Sequence, residues 1–250
     1  MANELSEWTT SEDWSFRHWA TRPIGLAIVL NAAALVLACA FFRMNPGADL
    51  ATSMSFFSAH TGFPVAASRA GRAARTGFIA ITDGTVVLLA AILAVSVVWP
   101  FLQGVHRRAM VFAVVTYLMI PGILVNGIIK PLWGRARPMA ISEFGGTLRF
   151  TSPFQLSEQC HKACSFLSGE TSALFTSATL FCLLVIPVLR RNMRWPVMVA
   201  VGCLAMSGSI LRIAFGAHFL SDIVFSAVIS MLLTLAFFSV MRPLIDKATG

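Results

Sequence analysis

Arg212, His218 and Asp222 bring a cation, an imidazole and a carboxylate into a stretch, Ser209 to Asp222, whose flanks are almost wholly apolar. His218 and Asp222 are four residues apart, the spacing that on a helix sets a carboxylate beside an imidazole. An imidazole held by a carboxylate is an activated nucleophile. Charged groups are costly in hydrocarbon, so they line a polar site or pair with one another. Taken alone, the stretch reads equally as a buried Arg–Asp ion pair beside a bystander histidine.

Two earlier stretches extend the chemistry. Lys130-Pro-Leu-Trp-Gly-Arg135-Ala-Arg137-Pro138 puts three cations within nine residues directly after an apolar segment, and Ser168-Gly169-Glu170 opens another apolar segment after a polar loop. Phosphoryl transfer needs cations around the equatorial oxygens, an in-line nucleophile and a proton donor for the leaving oxygen. Lys130, Arg137 and Arg212 supply cations, and the amide of Gly169 at a helix start adds a donor at the positive helix end.

In this order the three stretches resemble the signature of the type 2 phosphatidic acid phosphatase superfamily of membrane lipid phosphatases. That signature is Lys, six residues, Arg-Pro; then Pro-Ser-Gly-His; then Ser-Arg, five residues, His, three residues, Asp. Lys130, Arg137 and Pro138 fit the first part, Ser168 and Gly169 the second, and Arg212, His218 and Asp222 the third. Leu167 and Glu170 stand where the second part has Pro and His, and Leu211 where the third has Ser. Three spaced motifs over roughly residues 110–240 are far more specific than any one.

The resemblance implies that His218 attacks phosphorus to give a phosphohistidine, with Asp222 orienting and polarising its imidazole. Phosphate is then bound by Lys130, Arg137, Ser168, Gly169 and Arg212, and the scheme needs no metal or other cofactor. Glu170 takes the place of the histidine that protonates the leaving group. A helix N-terminus favours the carboxylate, whereas bound phosphate and desolvation favour the acid form. The other reading of Glu170 is a helix-start glutamate following an N-cap serine, Ser168.

Neighbouring groups are less determinate. Arg135 touches phosphate or snorkels, His161 and Lys162 belong to a solvated loop in preference to meeting the head group, and Trp133 is an interfacial anchor. Arg69, Arg72 and Arg75 serve an anion-binding face or snorkel at the interface. His60 and Asp83 fall near the same face, with no spacing that selects a role. Cys39, Cys182 and Cys203 lie inside apolar segments as packing residues. Cys160 and Cys164 are expected to form a disulfide if their side faces an oxidising compartment, metal binding being the weaker alternative.

The elements that carry these groups follow from composition. With 57% hydrophobic and 12% charged residues in 250, the chain reads as an integral membrane protein. The net charge of +8 is scattered over short loops without interleaved aromatics, which argues against nucleic acid and for membrane topology and anionic head groups. The expected fold class is all-α, a polytopic bundle of six transmembrane helices in one domain over 23–241, after an interfacial lead over 1–22 and before a tail over 242–250. The apolar segments run about 23–42, 80–103, 109–129, 168–189, 195–215 and 219–241, with Leu50–Phe57 a short interfacial helix and kinks at Pro121 and Pro187.

Basic turns at His106-Arg107-Arg108 and Arg190-Arg191-Asn-Met-Arg194, together with the tail, put that side and both termini in the cytoplasm. The three motifs then face the exoplasm of a bacterial inner membrane. Expected partners are the bilayer and a phosphorylated membrane lipid: lipid A phosphate first, then undecaprenyl pyrophosphate, phosphatidylglycerol phosphate or phosphatidic acid. A phosphotransferase of the same fold, or a non-catalytic lipid binder or transporter, is the alternative.

Overall fold

The computed structural model describes residues 21–95, 105–161 and 164–246. The expected lead over 1–20, the stretch 96–103 at the end of the second segment, Lys162 and Lys247 lie outside the described residues.

Backbone in hydrocarbon must satisfy its own polar groups, which limits spanning segments of this kind to helices. Among the described residues six helices are long and apolar enough to cross a membrane, as expected, and no strand forms. α1 is Thr21–Met44, with Pro23 in its first turn and Arg43 in its last. α2, Ala48–Met54, is the short helix expected after it, and α3 is the single turn Pro64–Ala67.

α4, Arg69–Val95, starts eleven residues before the run expected from position 80. Ser68 starts it, its Oγ accepting the Gly71 N–H at 2.9 Å. The arginines that make this stretch look like a loop are good helix formers, so Arg69, Arg72 and Arg75 ride on the first turns. Asp83 consequently lies 14 residues past Arg69, about 21 Å along the helix, and not near its end.

α5, Val105–Tyr117, runs into a wider-wound stretch, Leu118–Ile129, and then α6, Lys130–Trp133. Pro121 cannot donate to the preceding turn, and the chain answers with five-residue bonds such as Lys130 N–H to the Val125 carbonyl. Gly134 ends α6 with φ +58°, and a Cβ there would lie 1.6 Å from the Ser157 carbonyl oxygen, so only glycine fits.

α7, Gly169–Leu184, yields at Pro187 to a 3-10 turn, Ile186–Val188; α8 is Arg191–Ala214 and α9 is Leu220–Asp246. α7 and α9 form the centre, α8 packs on α7, α1 packs on α9, and α4 is peripheral. Lipid tails are as apolar as leucine, so contact between helices rests on packing and polar pairs. Ser172 and Ser230 share a hydrogen bond of 2.7 Å across the α7–α9 seam, a type worth about 0.6 kcal/mol in membranes. Phe112, Leu180, Leu183 and Phe238 pack one end, while Phe63, Ile141, Phe144 and Phe219 close the end that carries the motifs.

Candidate active site

The N-terminus of α7, the end of α8, the start of α9 and the Lys130–Pro138 segment converge on one cavity of about 360 Å³. Lys130, Arg137, Gly169, Glu170, Arg212 and His218 all line it. Ser168 lies just behind as the N-cap of α7, its Oγ accepting the Thr171 N–H at 3.3 Å and its own N–H bound to Ser226 Oγ at 2.8 Å. Gly169 presses against Asn126, whose Oδ1 would stand 2.3 Å from an added Cβ. Asp222 is brought close but does not line the cavity.

His218 is fully enclosed by its neighbours yet borders this space, 2% exposed. His218 falls between the segments expected over 195–215 and 219–241, and the chain does place it in that turn. α8 ends before Gly216, whose φ of +62° and tight contact with Phe63 turn the backbone, and α9 starts only at Leu220. His218 is therefore in the turn, with Nδ1 2.7 Å from the Ser165 carbonyl and 3.7 Å from Asp222 Oδ2. The short contact makes Nδ1 the protonated nitrogen, which leaves Nε2 as the nitrogen with a lone pair.

Asp222 acts at one remove. Its Oδ2 accepts the Ser165 hydroxyl and the Phe219 N–H, fixing both the residue whose carbonyl holds His218 and the start of α9. Its Oδ1 receives Arg135 Nη1 at 2.6 Å. Arg135 is wholly buried; Nη2 meets Asp49 at 2.7 Å, Nε donates to the Thr151 carbonyl at 2.8 Å, and the guanidinium lies 4.3 Å from the Phe219 ring centre. Arg135 thus neither snorkels nor lines the cavity: it is the counter-ion of two buried carboxylates. Trp133 braces the same loop, donating to the Pro153 carbonyl at 2.9 Å and stacking on Phe166.

Glu170 is an ion-paired carboxylate. Arg75 Nη2 reaches its Oε1 at 2.8 Å and Arg212 Nε approaches Oε2 at 3.3 Å. Arg212 is buried, and its Nε and Nη1 make no hydrogen bond among the described residues. A buried cation this poorly compensated is costly, and an anion in the cavity would complete its shell. Four cations line the cavity against the two carboxylates Glu170 and Asp83, an excess of two positive charges. A phosphate near its second ionisation carries about that charge with opposite sign.

Asp83 enters the same cavity from α4, at a depth where a carboxylate facing lipid costs roughly 3 kcal/mol on insertion scales. The cavity therefore gives Asp83 polar surroundings within the bundle. Cys160 and Cys164 are bonded to each other, their Cα atoms 5.5 Å apart, in the turn that ends one residue before Ser165. No cluster of three metal-ligating side chains forms among the described residues. His161 and His60 are exposed and do not line the cavity.

Arg75 reaches the cavity from the anion-binding face expected of it, whereas sequence spacing did not reveal Asn126, Asp49 or Ser165. An amide in an apolar run and an acid in a mixed loop were the only signals for Asn126 and Asp49. Nothing local ties Ser165 to His218, 53 residues on.

Burial pushes the His218 imidazole down to about 4, with Lys130 and Arg212 adding to the shift against the pull of Asp222. In an unfolded chain histidine ionises near 6.5, so between about pH 6.5 and 4 the unfolded state takes up a proton that the folded state refuses. Stability in detergent is expected to decline as pH falls through that window, and His218→Gln to flatten the decline. Thermal unfolding from about pH 7.5 to 4.5 measures it; the same slope in the variant would assign the effect to other groups.

The profile of the PAP2 superfamily matches residues 108–246. The chain is 32% identical over 146 residues to a lipid A 4'-phosphatase of Rhizobium leguminosarum, covering 54% of this chain and 60% of that protein. It is 34% identical over 137 residues to a lipid A 4'-phosphatase of Francisella tularensis subsp. novicida, with the same two coverages of 54% and 60%. A third such phosphatase, from Rhizobium etli, is 38% identical over 106 residues, 42% of this chain and 39% of that one. The chain therefore spans less than two thirds of the length of these relatives. No solved structure matches it.

Proposed function

The chain belongs to the PAP2 superfamily, and on that premise we propose that it is a membrane lipid phosphatase whose nucleophile is His218 and whose first substrate is lipid A carrying a 4'-phosphate. The observation that carries this reading is a buried imidazole, tethered through Nδ1 to the Ser165 carbonyl, on the wall of a cavity ringed by Arg75, Lys130, Arg137 and Arg212.

The phosphate enters among the four cations. Nε2 of His218 attacks phosphorus as the bond to the lipid oxygen breaks, and Lys130, Arg137 and Arg212 hold the equatorial charge. The leaving oxygen takes a proton from Glu170. In the resting site Glu170 is tied to Arg75 and Arg212; a phosphate that draws Arg212 to itself and sets its own negative charge beside the carboxyl favours the protonated acid. Water then attacks the phosphohistidine, the P–N bond breaks, and inorganic phosphate leaves.

The test is phosphate release by the purified protein in detergent, without added metal, from lipid A, undecaprenyl pyrophosphate and phosphatidylglycerol phosphate, each with and without an acceptor lipid. Release from lipid A in the absence of acceptor is expected. Release only with acceptor would make the protein a transferase, and none from any lipid would remove the reading.

The site opens to the exoplasm in this proposal. Support comes from exposed Arg190, Arg191 and Arg194 at the other end of α7 and α8, and from a Cys160–Cys164 bond beside the site. Intact cells treated with a reductant and an impermeant maleimide are expected to label Cys160 or Cys164; labelling only after lysis would reverse the orientation.

A further inference from the structure

The cavity has two poles of opposite character, and the phosphatase chemistry uses one. Arg75, Lys130, Arg137, Arg212 and His218 line it together with Glu170; Asp83, Tyr117 and Asn126 line it too, with Asp83 eight residues past Arg75 along α4 and Tyr117 thirteen residues before Lys130. At about 360 Å³ the space is of the size that holds a small ligand and not only a phosphate.

We infer that the Asp83–Tyr117–Asn126 pole is the subsite for the leaving group, and that it selects a hydroxyl- and amide-bearing sugar over a diacylglycerol. This rests on the phosphatase reading above. The groups at this pole are mostly acceptors. The Thr82 hydroxyl is shared among the Phe78 and Ile79 carbonyls and, at 3.4 Å, Asp83 Oδ1, so it leaves Asp83 Oδ2 open, and Asn126 commits Nδ2 to the Pro121 carbonyl at 2.6 Å, which leaves Oδ1. An ionised Asp83 accepts only, and Tyr117 both donates and accepts. A wall of this kind is satisfied by O–H and N–H donors, which an N-acylated sugar carries in number. A diacylglycerol presents ester oxygens alone and would leave the wall unpaired, the kind of mismatch that a polar site rejects strongly.

Asp83 also repels phosphate, so a lipid enters with its phosphate at the cationic pole. Its position bears this out physically, because a carboxylate so deep in a spanning helix, exposed to the cavity, is a functional group by default.

The experiment compares a phosphorylated N-acylglucosamine lipid with phosphatidic acid of matched chains, for the parent, Asp83→Asn and Tyr117→Phe, reading KM and kcat for phosphate release and Kd for lipid binding. The parent is expected to favour the sugar lipid. In each variant the KM preference for it should shrink roughly tenfold or more, with kcat for the sugar lipid changing much less. An unchanged preference, or equal losses on both lipids as a merely water-filled pole would give, overturns the subsite. If Asp83→Asn fails to fold, Tyr117→Phe decides. If the parent binds lipid without releasing phosphate, the phosphatase reading has failed, and the ratio of Kd values still tests the subsite.

Discussion

His218→Ala should lose phosphate release by on the order of 10⁴-fold or more, since a nucleophile and the groups that serve it act as a unit. KM should move far less, because the cations that bind phosphate remain. The parent, mixed with ³²P-labelled lipid and quenched in alkali, should carry label that is released by acid, the behaviour of a phosphorylated imidazole; His218→Ala should carry none. Added imidazole, entering the space the side chain vacates, should restore part of the rate. A variant within tenfold of the parent, or label that persists without His218, would end the phosphohistidine scheme. Glu170→Gln is a milder case: it keeps the shape and gives up the proton, and its loss should be largest for lipids with the poorest leaving groups.

The second large effect concerns folding. Arg135→Met places an apolar chain of similar reach between two carboxylates that now have no counter-ion, and removing one partner of a buried ion cluster costs about 3–5 kcal/mol. Thermal unfolding in detergent should fall sharply, and activity with it, through loss of the Asp222–Ser165–His218 chain of contacts. Arg135→Lys keeps the charge but cannot serve Asp222, Asp49 and the Thr151 carbonyl together, so it should fall between the parent and Arg135→Met. If Arg135→Met cannot be purified, Asp49→Asn relieves one acid alone and should destabilise by less. A midpoint unchanged in Arg135→Met would show that the cluster does not hold the site.

What sequence made legible here are the features governed by local pattern. Six apolar runs of bilayer length announce six helices, because hydrocarbon leaves backbone little alternative. The three motifs identify Lys130, Arg137, Gly169, Glu170, Arg212 and His218, and these residues do meet at one cavity. Where local pattern misled, a physical override is visible. The apolar run put the start of the second span near 80, and Ser68 caps a helix that starts at Arg69 and contains the three arginines. The partners of Arg135 lie 86 and 87 residues away in opposite directions along the chain, and no periodicity in a sequence carries a pairing of that range.

That same pairing has a meaning in biosynthesis. Asp49 and Arg135 are both translated well before Asp222, and the chain is made at about 5–20 residues per second. Roughly ten seconds therefore pass in which Arg135 has one acid and lacks the other, with α7 and α8 entering the membrane meanwhile. α9 supplies the missing carboxylate within its first turn. Until Asp222 is made, Arg135 holds Asp49 alone, and the Ser165 hydroxyl and the Phe219 N–H on either side of His218 lack the carboxylate that fixes them.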